Sequence, residues 1–249
     1  MRRAGRIVAE VLALVETRLK PGVTTAELDE LAEHHIRSSG AIPSFKDYLG
    51  GGRYGKTPSA FPGSICASID DEVVHGIPDD RPLKEGQIIS IDAGAIYDGW
   101  HGDAARTFVV GKAPEEVRRL VDTTRLALMA GIAAARPGNV VGDISAAVED
   151  IAAPAGYGIV RQYVGHGIGS EMHQDPQVAN FRSRDGGWPR WPLEPGMCLA
   201  IEPMLTVGSH EVETRPDGWT VVTRDGTLAA HFEHTIAITE NGPEILTTV

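Results

Sequence analysis

Four acidic residues stand where an ionised carboxylate is unfavourable, inside or at the start of apolar, strand-like segments. Asp92 lies in IISIDAG and Glu202 in LAIEPM, whereas Asp103 and Glu233 each precede a run of apolar residues. Burying an unpaired carboxylate is costly, so each group must be protonated, paired with a base or bound to a metal ion. Salt bridges are the alternative to metal binding, and Arg106 is the one obvious basic partner.

A histidine completes a set of ligands suited to divalent metal ions. Four carboxylates facing one another would repel strongly unless cations lay among them. With a histidine from segment 163–173, the predicted ligand set is Asp92, Asp103, His166, Glu202 and Glu233. Oxygen-rich sites with one imidazole suit manganese, iron, cobalt or zinc. Five ligands are too many for one small ion, so we expect two ions, about 3.5–4 Å apart, that activate water for hydrolysis.

A hairpin is predicted to bring the first two acids together. Two apolar runs within residues 87–110 flank Asp98-Gly99, a strong signal for a two-residue hairpin loop. In that register Gly94 lies opposite Asp103, and Asp92 shares a face with Asp103 one diagonal step away. Gly94 has no side chain, so we expect open space beside Asp103. A β-bulge would move one acid to the other face, and the sequence pattern leaves that alternative open.

Weak internal repetition relates the two halves of the chain. The similar pairs of segments are 20–36 with 136–152, 73–78 with 164–169, 83–92 with 193–202, and 101–110 with 231–239. They align Asp92 with Glu202 and Asp103 with Glu233. Short glycine-rich strings can match by chance, but several matches that each align an acid or a histidine favour duplication. We therefore predict one domain, 1–249, made of two pseudo-symmetric halves of about 1–125 and 126–249.

Composition excludes several classes of function. The formal net charge of −11 disfavours nucleic acid as a partner, because phosphate binding needs a concentrated basic face. No segment approaches the roughly 18 apolar residues of a membrane span, and the N-terminal segment 2–19 has the spacing of an amphipathic helix. The two cysteines, Cys66 and Cys198, are typical of reduced thiols in a cytosolic protein. We expect a cytoplasmic protein without membrane or nucleic-acid partners.

The segments that carry these acids and histidines also occur in an order typical of a known family. They are VVHGIP (73–78), SIDAG (90–94), HGDAARTF (101–108), GHGIG (165–169), EMHQDPQV (171–178), AIEPM (200–204) and FEHT (232–235). The chain resembles, over nearly its whole length, the methionine aminopeptidases of the shorter, bacterial type. The resemblance implies an α/β (α+β) pita-bread fold, in which a pseudo-twofold antiparallel sheet is backed by helices.

The same resemblance implies roles for individual residues. Asp103 and Glu233 match ligands that bridge two metal ions, and Glu202 is the best candidate to carry the proton in catalysis. His75 and His173 match two histidines that contact substrate without binding metal. The wall of a methionine pocket would include Phe61, Cys66, Met172 and Trp219, although ordinary core packing is the alternative for these four residues.

The expected activity is removal of the initiator methionine from nascent polypeptides, and from peptides with an N-terminal methionine, by a monomeric enzyme. A proline-directed peptidase shares the fold and the ligands and is one alternative, and a metal-free binding protein on the same scaffold is another. The stretch GGGRYGKT (50–57) fits the P-loop pattern. Pro58 and Pro62 follow at once, so no helix continues, and we interpret 46–58 as a loop at the substrate mouth.

Overall fold

The computed structural model describes residues 1–49, 59–183 and 190–249. The P-loop-like stretch 50–57 lies outside the described residues. The helices are α1 (Arg2–Arg18), α2 (Thr25–Ser38), α3 (Glu115–Ala134) and α4 (Val141–Ala152). The strands are β1 (Ile42–Pro43), β2 (Ile65–Ile69), β3 (Glu72–Val74), β4 (Ile88–Tyr97), β5 (Trp100–Val109), β6 (Gly158–Ile159), β7 (Gly165–Gly167), β8 (Gln174–Val178), β9 (Cys198–Ile201), β10 (Met204–Thr206), β11 (Val212–Thr214), β12 (Val221–Thr223), β13 (Ala229–His231), β14 (His234–Thr239) and β15 (Gly242–Ile245).

The helices form where the sequence places apolar residues on one face. Along α1, Ile7, Val11 and Val15 recur at helical spacing and are buried, which confirms the predicted amphipathic helix. A capping box, in which Thr24 and Glu27 bond each other's backbone, fixes the start of α2. Among the described residues, no helix has the length and apolar character that crossing a membrane requires.

Two antiparallel sheets carry the acidic residues. The first contains β1, β4, β2 and β5, with β4 at its centre, and the second follows the order β15-β14-β9-β7-β8. Helices α1 and α2 share a buried apolar cluster with the first sheet, while residues of α3 and α4 pack on the second. Both sheets therefore have helices behind them, and their other faces are free to meet.

The β4–β5 hairpin has the predicted register. Tyr97 pairs with Trp100 and Gly94 with Asp103, and the ten paired positions show no shift. Asp98 and Gly99 have φ of 51° and 77°, both in the left-handed region that a two-residue type I′ loop requires. The strand pair therefore has no β-bulge, and Asp92 and Asp103 lie on one face.

A short ladder of hydrogen bonds between segments distant in the sequence joins the two sheets in the middle of the molecule. Ala105 and Glu233 exchange backbone hydrogen bonds, with N···O distances of 3.3 and 2.9 Å. On one side the Thr235 hydroxyl bonds both the N–H and the C=O of Asp103. On the other side the Thr107 hydroxyl bonds both backbone groups of His231. Threonine hydroxyls thus satisfy backbone groups where the strands diverge, and they fix the register between the sheets.

Matched contacts in the two parts of the chain support the two-half arrangement. The residue before α2, Thr24, forms an isolated bridge with Pro82, and the residue before α4, Val140, forms one with Pro192. Each bridge leads into a turn and then into a strand, β4 with Asp92 within it and β9 with Glu202 directly after it. The boundary near residue 125 lies within α3, and the division into halves stays a prediction.

Candidate metal centre

Asp92 and Asp103 project from the hairpin toward the joint between the sheets. They lie on the same face of the β4–β5 pair, one diagonal step apart. The expectation of open space at Gly94 needs correction, because a Cβ there would lie 2.8 Å from Ser44 Cβ and 3.0 Å from a ring carbon of Phe45. The segment after β1 fills this space and closes one side of the centre.

Glu233 and His166 face the hairpin from the second sheet. Ligand atoms of Asp103, His166 and Glu233 all lie within 4.8 Å of one another, and all three residues are buried. The Glu233 backbone pairs with Ala105, so the ladder between the sheets sets its distance from Asp103. His166 lies on β7, where it pairs with Ala200 of β9. These three predicted ligands therefore come together from strands distant in sequence.

The hydrogen bonding of His166 leaves one ring nitrogen free for a cation. Its Nδ1 lies 3.0 Å from the carbonyl oxygen of Gly167, which can only accept, so Nδ1 carries the proton. Burial lowers the pKa of His166 to about 3, and the ring is neutral near pH 7. The Nε2 lone pair therefore points at the centre, in the arrangement that metal-binding histidines have.

Glu202 completes the group beside this imidazole. Its Oε1 lies 3.5 Å from His166 Nε2, which is the geometry of an ion pair. We do not interpret the contact as one, because the neutral ring presents a lone pair on this nitrogen. Two acceptor atoms that face each other at this distance need a proton or a metal ion between them. Asp92 and Glu202 lie at the rim of the three-residue cluster, and both are partly accessible.

The electrostatics of the four acids fit a site for positive charge. Burial, followed by mutual repulsion, holds the pKa of Asp103, Glu202 and Glu233 well above their usual range, and burial raises that of Asp92 to about 7. Among the residues that the structure describes, buried oxygens of Asp92, Asp103 and Glu233 have no hydrogen-bond partner. Arg106, the candidate for a salt bridge, binds Glu16 on α1 instead. The donor set therefore suits divalent metal ions.

The two predicted substrate histidines border this centre. The ring centroid of His173 lies 4.3 Å from that of His166, and the ring of His75 packs edge-on against Tyr163 and Trp219. His75 has φ of 59°, a left-handed backbone conformation that is rare outside glycine. Burial lowers the pKa of both histidines to about 4, so both rings are neutral near pH 7.

The four predicted pocket residues belong to one apolar cluster. Phe61, Cys66, Met172 and Trp219 are buried together, and the cluster also contains Phe45 and Ile168. It is separate from the clusters behind the sheets. Cys66 lies directly opposite Asp92 in the β2–β4 pairing, so the cluster adjoins the acids. Burial and the nearby carboxylates raise the pKa of the Cys66 thiol well above its usual value.

Sequence reasoning missed several residues around the centre. Phe45 and Tyr48 follow a two-residue strand and have no periodic pattern, and only the proximity of SFKDY to other motifs could have pointed to them. His101 and His231 stand two residues before Asp103 and Glu233 in the sequence. His101 Nδ1 lies 3.0 Å from the Ser44 hydroxyl. The buried His231 Nε2 has no hydrogen-bond partner in the described part of the chain and lies 3.9 Å from Glu202.

This fold and centre define a class of protein, the metal-dependent hydrolases in which two related groups of strands enclose clustered carboxylates. The model of metallopeptidase family M24 matches residues 1–240. The chain belongs to metallopeptidase family M24, which confirms the predicted family, its hydrolytic chemistry and its divalent metal dependence.

Curated relatives match over nearly the full chain. The methionine aminopeptidase of Clostridium acetobutylicum is 53% identical over 248 residues, covering 99% of this chain and 94% of that protein. Methionine aminopeptidase 1 of Bacillus subtilis is 49% identical over 249 residues, covering 100% and 95% respectively. The alignments leave no large segment of either chain unmatched.

Solved structures confirm the pita-bread fold. The methionine aminopeptidase of Rickettsia prowazekii superposes with a TM-score of 0.91 at 42% identity, covering 99% of this chain and 95% of that one. The enzyme of Thermotoga maritima gives 0.92 at 41% identity, covering 100% and 95%. The prolidase of Pyrococcus furiosus gives 0.77 at 22% identity, and this chain covers 63% of it, so that likeness shows the fold alone.

Proposed function

We propose that this chain is a methionine aminopeptidase, which hydrolyses the first peptide bond of nascent polypeptides and of peptides that begin with methionine. The observation that carries the proposal is the contact between the acidic centre and the apolar cluster, where Cys66 pairs directly with Asp92. An aminopeptidase needs charged groups that act on the first peptide bond and, beside them, a surface that recognises the first side chain. The identity of 45–53% to methionine aminopeptidases supports the same activity.

We propose that Asp92, Asp103, His166, Glu202 and Glu233 hold two divalent ions of cobalt, manganese, iron or zinc. Asp103, His166 and Glu233, whose ligand atoms lie within 4.8 Å of one another, would form the centre of this ligand set. Such ions supply Lewis acidity and lower the pKa of bound water. Glu202 lies at the rim and is partly accessible, so it can accept a proton from the attacking water and pass it to the departing amine.

The neutral histidines are assigned to the substrate. His173 donates a hydrogen bond to the carbonyl oxygen as it gains negative charge, and His75 holds the amide that follows. Removal of a preorganised donor of this kind typically costs about 10²–10³ in rate. The low pKa of both rings supports a role as neutral donors rather than as cations.

The apolar cluster is assigned to the methionine side chain. Phe61 and Trp219 meet edge to face with ring centroids 5.2 Å apart, and Met172 and Cys66 add polarizable sulfur. Aromatic and sulfur atoms interact favourably with a thioether. This surface recognises an unbranched apolar side chain at the first position of the substrate.

The test is a metal-restoration assay. Protein stripped with chelator is expected to regain methionine release from Met-Ala peptides when manganese, cobalt, iron or zinc is added singly, and to leave Xaa-Pro peptides intact. Glu202→Gln should remove turnover, whereas Glu194→Gln, an exposed glutamate in the same half, should not. Cleavage of Xaa-Pro peptides in preference to Met-Ala would identify a proline-directed peptidase instead.

We also propose that the enzyme acts as a monomer in the cytoplasm. The net charge of −11 supports a protein that does not bind nucleic acid. Light scattering of the purified protein should give the mass of one chain, and a stable dimer would overturn the assignment.

A further inference from the structure

Tyr48 contacts one of the substrate histidines directly. Its hydroxyl oxygen lies 3.0 Å from Nδ1 of His173, and the two ring centroids are 5.8 Å apart. The tyrosine backbone is held at both groups, because its N–H donates to Phe45 O and its C=O accepts from Phe61 N–H. The hydroxyl is therefore presented to His173 from a fixed segment of the pocket wall.

The neighbouring imidazole of His166 shows that the partner of Nδ1 determines which ring nitrogen carries the proton. His166 has Nδ1 bonded to a carbonyl oxygen, so its proton lies on Nδ1 and its Nε2 presents a lone pair. His173 has Nδ1 bonded to a hydroxyl, which, unlike a carbonyl, can donate. A neutral imidazole has one N–H, and the partner of one nitrogen fixes the state of the other. Two rings only 4.3 Å apart therefore have different Nδ1 partners, a carbonyl oxygen that only accepts and a hydroxyl that can also donate.

We propose that Tyr48 is a positioning residue, which donates its hydroxyl proton to Nδ1 of His173 and thereby keeps the His173 proton on Nε2. This inference rests on the proposed function, in which His173 donates to the carbonyl oxygen. A lone pair on Nε2 would repel the charge that develops on that oxygen. The hydroxyl thus converts an adaptable ring into a hydrogen-bond donor with one orientation.

Kinetics of Tyr48→Phe test the proposal, because this variant removes only the hydroxyl. The expected result is a fall in kcat of about tenfold with KM within about twofold and an unchanged metal content. In a His173→Ala background the same substitution should have no further effect. Tyr157→Phe is the matched control, since this tyrosine lies after α4 and contacts Arg119 through its ring. Unchanged kcat in Tyr48→Phe, beside a strong loss in His173→Ala, would overturn the inference alone.

A spectroscopic measurement reads the tautomer itself. In zinc-loaded protein, ¹⁵N spectra of labelled histidine should show His173 with an unprotonated Nδ1 and a protonated Nε2, and Tyr48→Phe should give a mixture of tautomers. A protonated Nδ1 in the parent protein would overturn the inference whatever the kinetics. Normal turnover in His173→Ala would instead remove the role proposed for His173, so the two failures are distinguishable.

Discussion

The two predicted halves of the chain supply matching acids by different means. Asp92 and Asp103 lie on adjacent strands joined by a two-residue loop, so local pairing alone sets their distance. Glu202 and Glu233 are 31 positions apart, with β10 to β13 between them, and they become neighbours because β9 pairs with β14. The first pair is encoded by one hairpin, whereas the second pair exists only in the completed sheet.

The histidines differ between the halves in the same way. His75 and His166 occur in similar glycine-framed motifs. His166 lies on a strand with its Nδ1 bound and its Nε2 facing the acids, whereas His75 has a left-handed backbone and packs against Trp219. Similar sequence therefore does not fix the backbone conformation, and the neighbouring elements decide which ring can bind metal.

The largest expected effect comes from the two acids nearest the joint. Asp103→Ala and Glu233→Ala should each lower methionine release by at least about 10³-fold and reduce bound metal, because both carboxylates face the same cluster. Plasma mass spectrometry and a peptide assay measure the two quantities. If one of the two variants kept its full metal content while the other lost metal, the two acids would not have equivalent roles.

Variants of His166 and His75 test whether the two similar motifs have different roles. His166→Ala should weaken manganese binding by about 100-fold in calorimetric titration, because it removes a ligand nitrogen. His75→Ala should retain metal and lose about 10² in kcat, since its ring lies outside the ligand cluster. Equal loss of metal in both variants would contradict this division of roles.

The acids also predict how stability depends on pH. In metal-free protein the pKa of Asp92 is raised to about 7 from a value near 4 in the unfolded chain, and the pKa values of the other three acids are also held well above their usual range. The unfolded state then binds fewer protons, so the free energy of unfolding falls as pH rises from about 4 through 7.

Thermal unfolding with and without manganese measures this effect. The metal-dependent rise in Tm should increase by about 5–10 °C between pH 5.5 and pH 8, because the cation replaces the protons that the cluster otherwise needs. Asp92→Asn is the matched variant and should show a smaller pH dependence without metal. A metal-dependent rise that is constant over this range would contradict the linkage.

The smallest expected effect concerns the ladder between the halves. Thr107→Val and Thr235→Val each leave two backbone groups without a partner, which should cost about 1–3 kcal/mol in the free energy of unfolding. Thr17→Val, at an exposed position on α1, should change it by less than about 0.5 kcal/mol. Denaturant titrations compare the three variants, and equal values would show that the ladder adds nothing.

The parts of the site that the sequence predicts correctly are those governed by local rules. Asp98-Gly99 specifies the loop type, and strand alternation then places Asp92 and Asp103 on one face. The open space expected at Gly94 was wrong because Ser44 and Phe45, from a segment without periodicity, fill it. Pairing rules describe a hairpin in isolation, and they do not say which loop covers it.

The second half and the pocket depend on contacts that no local pattern contains. The bonds of Thr235 and Thr107 span more than 120 positions, and Tyr48 reaches His173 across the mouth of the pocket. Resemblance and duplication could identify Glu202, Glu233 and His173 as candidates. The tautomers of His166 and His173, however, follow only from the atoms beside each ring.

Because Ala105 and Glu233 bond each other, the inner strand of each predicted half completes its backbone hydrogen bonds only with the other half. Cleavage of the chain in the exposed turn at Gly111-Lys112, between β5 and α3, would yield two fragments. Each fragment would contain part of the acid cluster and one strand without its hydrogen-bonding partner. Neither fragment alone would contain all five predicted metal ligands. Mixed together, they would be expected to complement each other, with peptide cleavage rising as the product of the two fragment concentrations.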